Sequence, residues 1–105
     1  MVEIPAEEWV AIPIQARGKT SVLIEVACLK LVDYGVVADP NTWQKAKDRD
    51  SFESEYWHEE FQGSDEVPLE LQERQKGYSL IFWNSNYSSG KISVAYRLAY
   101  GPSQV

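Results

Sequence analysis

The sequence predicts an all-β fold: an antiparallel β-sandwich of the jelly-roll or Greek-key kind, with about six to eight strands and at most one short helix. Three observations carry that reading. Apolar and polar residues alternate with period two along most of the chain, as they do in half-buried strands. Clusters of Gly, Ser, Asn and Asp interrupt the alternating runs at short intervals, as turns do between strands. The chain has 105 residues, 44% of them apolar, which suffices for one core and a single domain, 1–105. Short strands in this number close as a sandwich or a partly open barrel, and the sandwich is the expectation.

Residues 1–8 are polar and acidic, contain Pro5, and are expected as a mobile lead-in. From Trp9, the pattern WVAIPIQA places Val10, Ile12, Ile14 and Ala16 on one face. Pro13 falls on the other face and has no N–H to donate, which marks an edge strand. After the turn Arg17-Gly18-Lys19, Thr20 to Lys30 alternates again. Val22, Ile24, Val26 and Cys28 share one face there, and Glu25 sits mid-strand on the other, more solvated one. Leu31 to Ala38 reads as a third strand, bent near Gly35. At Asp39-Pro40 the pattern changes. Asp39 suits an N-cap and Pro40 the first helical position, so about one to three turns of helix to Asp48 are expected. A polar loop pinned by Trp43 is the alternative, because so short a helix nucleates poorly alone.

Asp48 to Glu66 holds eight of the sixteen acidic residues. It reads as an extended connection with one short strand around Glu55 to Phe61, ending at Gly63-Ser64-Asp65. Val67, Leu69 and Leu71 then mark a further half-exposed strand. The final two strands are expected as an antiparallel hairpin. Tyr78 to Trp83 is apolar on both faces, Asn84 to Gly90 is the loop, and Lys91 to Tyr100 alternates strictly. Ile92, Val94, Tyr96, Leu98 and Tyr100 share the buried face of that last strand, and 101–105 are expected as a mobile tail.

Sixteen acidic against ten basic residues give a net charge of −6. Direct nucleic-acid binding needs a surface of Lys and Arg that displaces counterions, and this balance argues against it. The start, MVEIPAEEW, has neither the basic n-region nor the apolar h-region of a signal peptide. No apolar run approaches the roughly 20 residues that span a bilayer. No membrane insertion and a cytoplasmic location are therefore expected. The lone Cys28 can form no disulfide within the chain.

The order of elements resembles a known family. A short buried strand (Tyr34 to Ala38) precedes an Asp-x-Asn-x-aromatic segment (Asp39, Asn41, Trp43), and a polar stretch and an apolar strand (Val67 to Leu71) follow. Gly77-Tyr78 then leads through Leu80-Ile81-Phe82-Trp83 to Asn84 and a closing alternating strand. From Ser21 to Tyr100 this is similar to the small β-sandwich modules of the GOLD type, in which a G-Y-x-L-x-F-x-N run precedes the final strand. The resemblance implies a non-catalytic module that acts in protein–protein contact or cargo recognition. It brings no catalytic residue with it.

The acidic-aromatic run Glu53, Glu55, Tyr56, Trp57, His58, Glu59, Glu60 raises a metal reading through His58. Zinc needs three or four spaced ligands, and the chain has one His, one Cys and no H-E-x-x-H. A calcium loop of D-x-D-x-D-G form is missing too, and adjacent residues such as His58 and Glu59 point to opposite faces of a strand. No metal and no cofactor is expected, and the run reads as a solvated acidic stretch. G-x-S-x-G, a Gly-rich phosphate loop and a Cys/His pair are all lacking, so no catalytic residue is assigned. A small enzyme using His58 with a carboxylate ranks below the binding readings.

The aromatics are the stronger lead. Four Trp and six Tyr exceed what a small core needs, and both types offer large amphipathic contact area. Trp43, Tyr56, Trp57, His58 and Tyr87 are the candidate binding residues, Tyr87 standing at the tip of a polar loop. Trp9 and Trp83 are read as core. The expected function is a recognition or accessory module that binds a protein partner or itself. Self-pairing would use an open edge at Trp9 or at Lys91 to Tyr100. The alternative is a carbohydrate-binding module, with Trp57, Trp43 or Tyr87 stacked on sugar faces.

Overall fold

The computed structural model describes residues 1–15, 20–38, 56–72, 77–85 and 90–102. Six strands account for most of them: β1 (Val2–Ile4), β2 (Trp9–Ile14), β3 (Thr20–Val37), β4 (Tyr56–Leu71), β5 (Tyr78–Trp83) and β6 (Ile92–Pro102). Every pairing is antiparallel, in the order β1-β6-β3-β5-β2, with β4 added to β3. The all-β, antiparallel expectation holds. The strands form one sheet, nearly closed into a barrel, where the sequence suggested a sandwich. The helix expected from Asp39 to Asp48 lies outside the described residues.

β3 is the spine of the sheet. Along one edge it pairs with the whole of β4, from Thr20↔Leu71 to Val36↔Tyr56. Along the other edge its first half takes β6, Thr20↔Pro102 to Cys28↔Val94, and its second half takes β5, Asp33↔Trp83 to Val37↔Ser79. β5 and β6 therefore follow one another along the same edge of β3, and the expected hairpin between them is not formed. Alternation reports that a strand has a buried face; it does not name the neighbouring strand. β1 and β2 repeat the arrangement one strand further out, with Ile4 opposite Ile92 and Trp9 opposite Trp83.

The sheet changes direction at the middle of β3. Between Cys28 and Val32, β3 carries Leu29, Lys30 and Leu31 where β4 has only Gln62 between Gly63 and Phe61. One step further, β4 carries Glu59 and Glu60 between His58 and Phe61, opposite Asp33 alone. Extra residues on alternate strands are β-bulges, and they bend and twist a sheet locally. Glu60 and Gly63 adopt positive φ of 53° and 106°. The Glu60 N–H donates to Asp33 Oδ1 at 2.9 Å, and Gln62 Nε2 donates to the Leu29 carbonyl at 2.7 Å. Gly63-Ser64-Asp65 is thus a kink within one 16-residue strand, and not the turn its composition suggested. Thr20 to Lys30 and Leu31 to Val37 are likewise one strand, bulged between Cys28 and Val32 and not at Gly35.

Asn84 pins the same bend on the other side. It is fully buried, and its Nδ2 donates to the carbonyls of Ile4 at 3.0 Å and Gly90 at 2.7 Å. Its backbone N–H donates to the Glu8 carbonyl at 2.9 Å, and its own carbonyl accepts from the Glu7 N–H at 2.8 Å. The segment expected as a mobile lead-in is therefore part of the sheet, with Ile4 wholly buried. At the other end Gly101 and Pro102 continue β6, and 103–105 lie outside the described residues.

Bending brings the inner faces of both halves of the sheet onto one core. Ile24 and Val26 from the first half of β3 share it with Tyr34 and Val36 from the second, with Leu80 and Phe82 of β5, and with Ile92 and Val94 of β6. Burying each such side chain contributes about 1.5–3 kcal/mol, which is why register follows the apolar pattern so closely. Cys28 is a buried free thiol in this core.

Candidate functional site

Strand geometry divides the candidate residues between two faces. Tyr56 and His58 stand opposite Val36 and Tyr34 on the inner face, and Trp57 stands between them on the outer face, opposite Gly35. Trp43 and Tyr87 lie outside the described residues.

The inner group is a packed aromatic set. His58 stacks on Tyr34 with ring centroids 5.9 Å apart and meets Phe61 edge-on at 5.3 Å. The Tyr56 hydroxyl lies 3.5 Å from His58 Nδ1. Tyr34, fully buried, donates from its hydroxyl to Asp65 Oδ2 at 2.9 Å. Burial pushes the Tyr34 hydroxyl well above the usual tyrosine value, and the neighbouring Tyr56 hydroxyl and Asp65 carboxylate act in the same direction. Tyr34 thus remains a hydrogen-bond donor. Asp65 is held from two sides, because its Oδ1 accepts from the Glu66 N–H at 3.0 Å. The Tyr34–Asp65 bond ties β3 to β4, and the other polar contacts of this group lie within β4.

The outer face is different in its two halves. Over the half built from β2, β5 and the end of β3, Trp9, Trp57 and Trp83 pack on Val37 and Ile81, a second apolar cluster outside the core. Trp9 is directly opposite Trp83. Trp57 lies across Gly35: a Cβ built there would fall 2.3 Å from Trp57 Cε3 and 2.2 Å from the Tyr56 carbonyl oxygen. Ala11 and Pro13 extend the apolar surface along β2 and are exposed. The other half carries Glu3, Glu25, Glu66, Glu70 and Arg97. Glu25 stands opposite both Glu66 and Arg97, with Arg97 Nε 3.9 Å from its carboxylate. An open depression of about 730 Å³ lies on this polar half, floored by Ala27, Ser64 and Ala95; His58 does not line it.

Of the five residues the sequence nominated, the structure brings Tyr56 and His58 together inside and sets Trp57 outside. Trp9 and Trp83 are the partners that sequence reasoning assigned to the core. Their signal was present: Trp9 shares its face with Pro13, and Trp83 with Ser79, both opposite the apolar runs that form the interior. Among the described residues, no three His, Cys, Asp or Glu side chains converge as a metal site, and no helix is long and apolar enough to cross a membrane. Neither a scan against protein-family models nor a search of curated protein sequences returned a match to the chain.

Proposed function

We propose that the protein is a non-catalytic recognition module that engages a protein partner through the outer face of β2, β5 and the end of β3. One observation carries the proposal: three of the four tryptophans gather on the outside of one half of the sheet, while the other half of that surface has no aromatic cluster and sets Glu3, Glu25, Glu66, Glu70 and Arg97 among smaller residues. The cluster buries Val37 and Ile81, but its three tryptophans are themselves only partly buried, which leaves indole surface on the solvent side. Trp is the residue type most enriched among those that dominate binding energy, because one side chain buries a large area at little entropic cost. The similarity to GOLD-type modules supports the same role, and on that reading the two halves of the bent sheet act as the two layers of a small sandwich. Site-specific photo-crosslinking tests the proposal. A benzophenone side chain at Ala11, on the tryptophan face, should capture a partner in cells, and the same group at Ser64, on the polar half, should not. Equal yields at both positions would contradict it.

A carbohydrate-binding role is the second reading, favoured by the direct Trp9–Trp83 pair, whose indoles could stack on a sugar face. Tryptophan fluorescence titrated with a panel of oligosaccharides separates the two. A saturable change would favour sugar over protein.

A further inference from the structure

The edges of the sheet are not equally protected. β2 carries Pro13, and β4 carries Pro68 together with the positive-φ residues Glu60 and Gly63. β4 is also acidic along its length, with Glu59, Glu60, Asp65, Glu66 and Glu70. Proline, bulges and charge are the usual devices that stop an edge from pairing with another chain. β6 differs. Its edge facing away from β3 is covered by β1 only from Ile92 to Val94. From Ala95 to Gly101 that edge meets no further strand among the described residues; its proline, Pro102, stands only at the end of the strand, and the stretch before it has no positive φ and one charge, Arg97. On the inner face of this stretch Tyr96 and Leu98 are half-buried, and Tyr100 is 51% exposed.

We propose that this edge is a dimerisation surface, and that its occupant is β6 of a second copy, paired antiparallel about a two-fold axis at Leu98. The residues favour that register over the one centred on Arg97. Centred on Leu98, the pairing sets Leu98 against Leu98, Tyr96 against Tyr100 and Arg97 against Ala99 of the other copy. Aromatic cross-strand pairs stabilise antiparallel ladders, and each Arg97 keeps Glu25 of its own chain beside it. Centred one residue earlier, the same pairing would place Arg97 directly opposite Arg97, which is unfavourable. β4 against β4 would bring together two strands that each carry five acidic side chains. A two-fold pairing through β6 also closes on itself, so the assembly stops at two. The proposal does not depend on the tryptophan face, but a dimer built this way would display two such faces and gain from binding both.

Light scattering and sedimentation velocity on the full chain, from about 1 μM to about 1 mM, test it. Wild type should pass from monomer to dimer and no further. Leu98→Lys and Leu98→Glu should each raise the dimer dissociation constant by at least about tenfold, because like charges then face each other across the axis. An equimolar mixture of the two should restore the dimer as a heterodimer. Tyr100→Asp, at an exposed position, supplies the same readout should either Leu98 variant lose its fold by circular dichroism. A wild type that stays monomeric throughout, variants that dimerise as well as wild type, or growth beyond a dimer would each overturn the proposal.

Discussion

Gly35 and Trp57 stand opposite each other on β3 and β4, and the indole fills the space that any side chain at position 35 would need. The missing Cβ is the condition for Trp57 to lie over the sheet and reach the outer cluster. Gly35 is not among the residues of positive φ, so the demand is steric and not conformational. Gly35→Ala would also meet the Tyr56 carbonyl, and backbone cannot swing aside as a side-chain tip can. We predict a loss of about 3 kcal/mol, the upper part of the range for overpacking, measured by urea denaturation. A variant as stable as wild type would show that the two strands separate more easily than the geometry implies.

Asn84 should be as sensitive for a different reason. Asn84→Ala leaves the carbonyls of Ile4 and Gly90 without their donor at the buried corner. A cost of about 2–4 kcal/mol is expected. Asn84→Asp should cost more at neutral pH, since a carboxylate would then face two carbonyl oxygens out of reach of bulk water. Denaturation midpoints of the two variants against wild type give the order directly.

Tyr34 sets an alkaline limit on stability. Its hydroxyl titrates above the ordinary tyrosine value in the folded protein, so the unfolded chain releases that proton first. The contribution is complete below about pH 10 and is lost as pH rises above it, at up to about 1.4 kcal/mol per pH unit. Tyr34→Phe forfeits the bond to Asp65 and should lower stability at neutral pH by about 1 kcal/mol. It should also flatten the decline above pH 10. Denaturant midpoints for both proteins between pH 8 and 11 measure this, and parallel declines would count against it.

Much of the strand content was legible in the sequence, because period-two alternation follows directly from burying one face. Val22, Ile24, Val26 and Cys28, and likewise Ile92 and Val94, face inward as that pattern requires. Pairing was less legible. β6 was expected to fold back on β5, yet both lie along β3, since register with a distant strand leaves no local mark. Gly63-Ser64-Asp65 has turn composition, but a bulge uses the same residue types to bend a strand without reversing it. The site was half legible. Trp57 was identified by its polar surroundings, whereas Trp9 and Trp83 lie beside apolar runs and were read as core. Only the third dimension shows that they meet Trp57 over Ile81.

Ala11 offers a direct probe of the recognition role, being exposed on β2 among the outer apolar residues and no part of the core. Ala11→Arg should leave stability within about 0.5 kcal/mol of wild type, as exposed substitutions usually do. Placed on the tryptophan face, the charge should nonetheless obstruct binding. The decisive comparison uses wild type, Ala11→Arg and Ser64→Arg as immobilised baits in parallel extracts, with retained proteins quantified by mass spectrometry. A protein held by wild type and by Ser64→Arg, and reduced at least about tenfold on Ala11→Arg, is the predicted result. The same proteins held equally by all three baits would contradict recognition through this face.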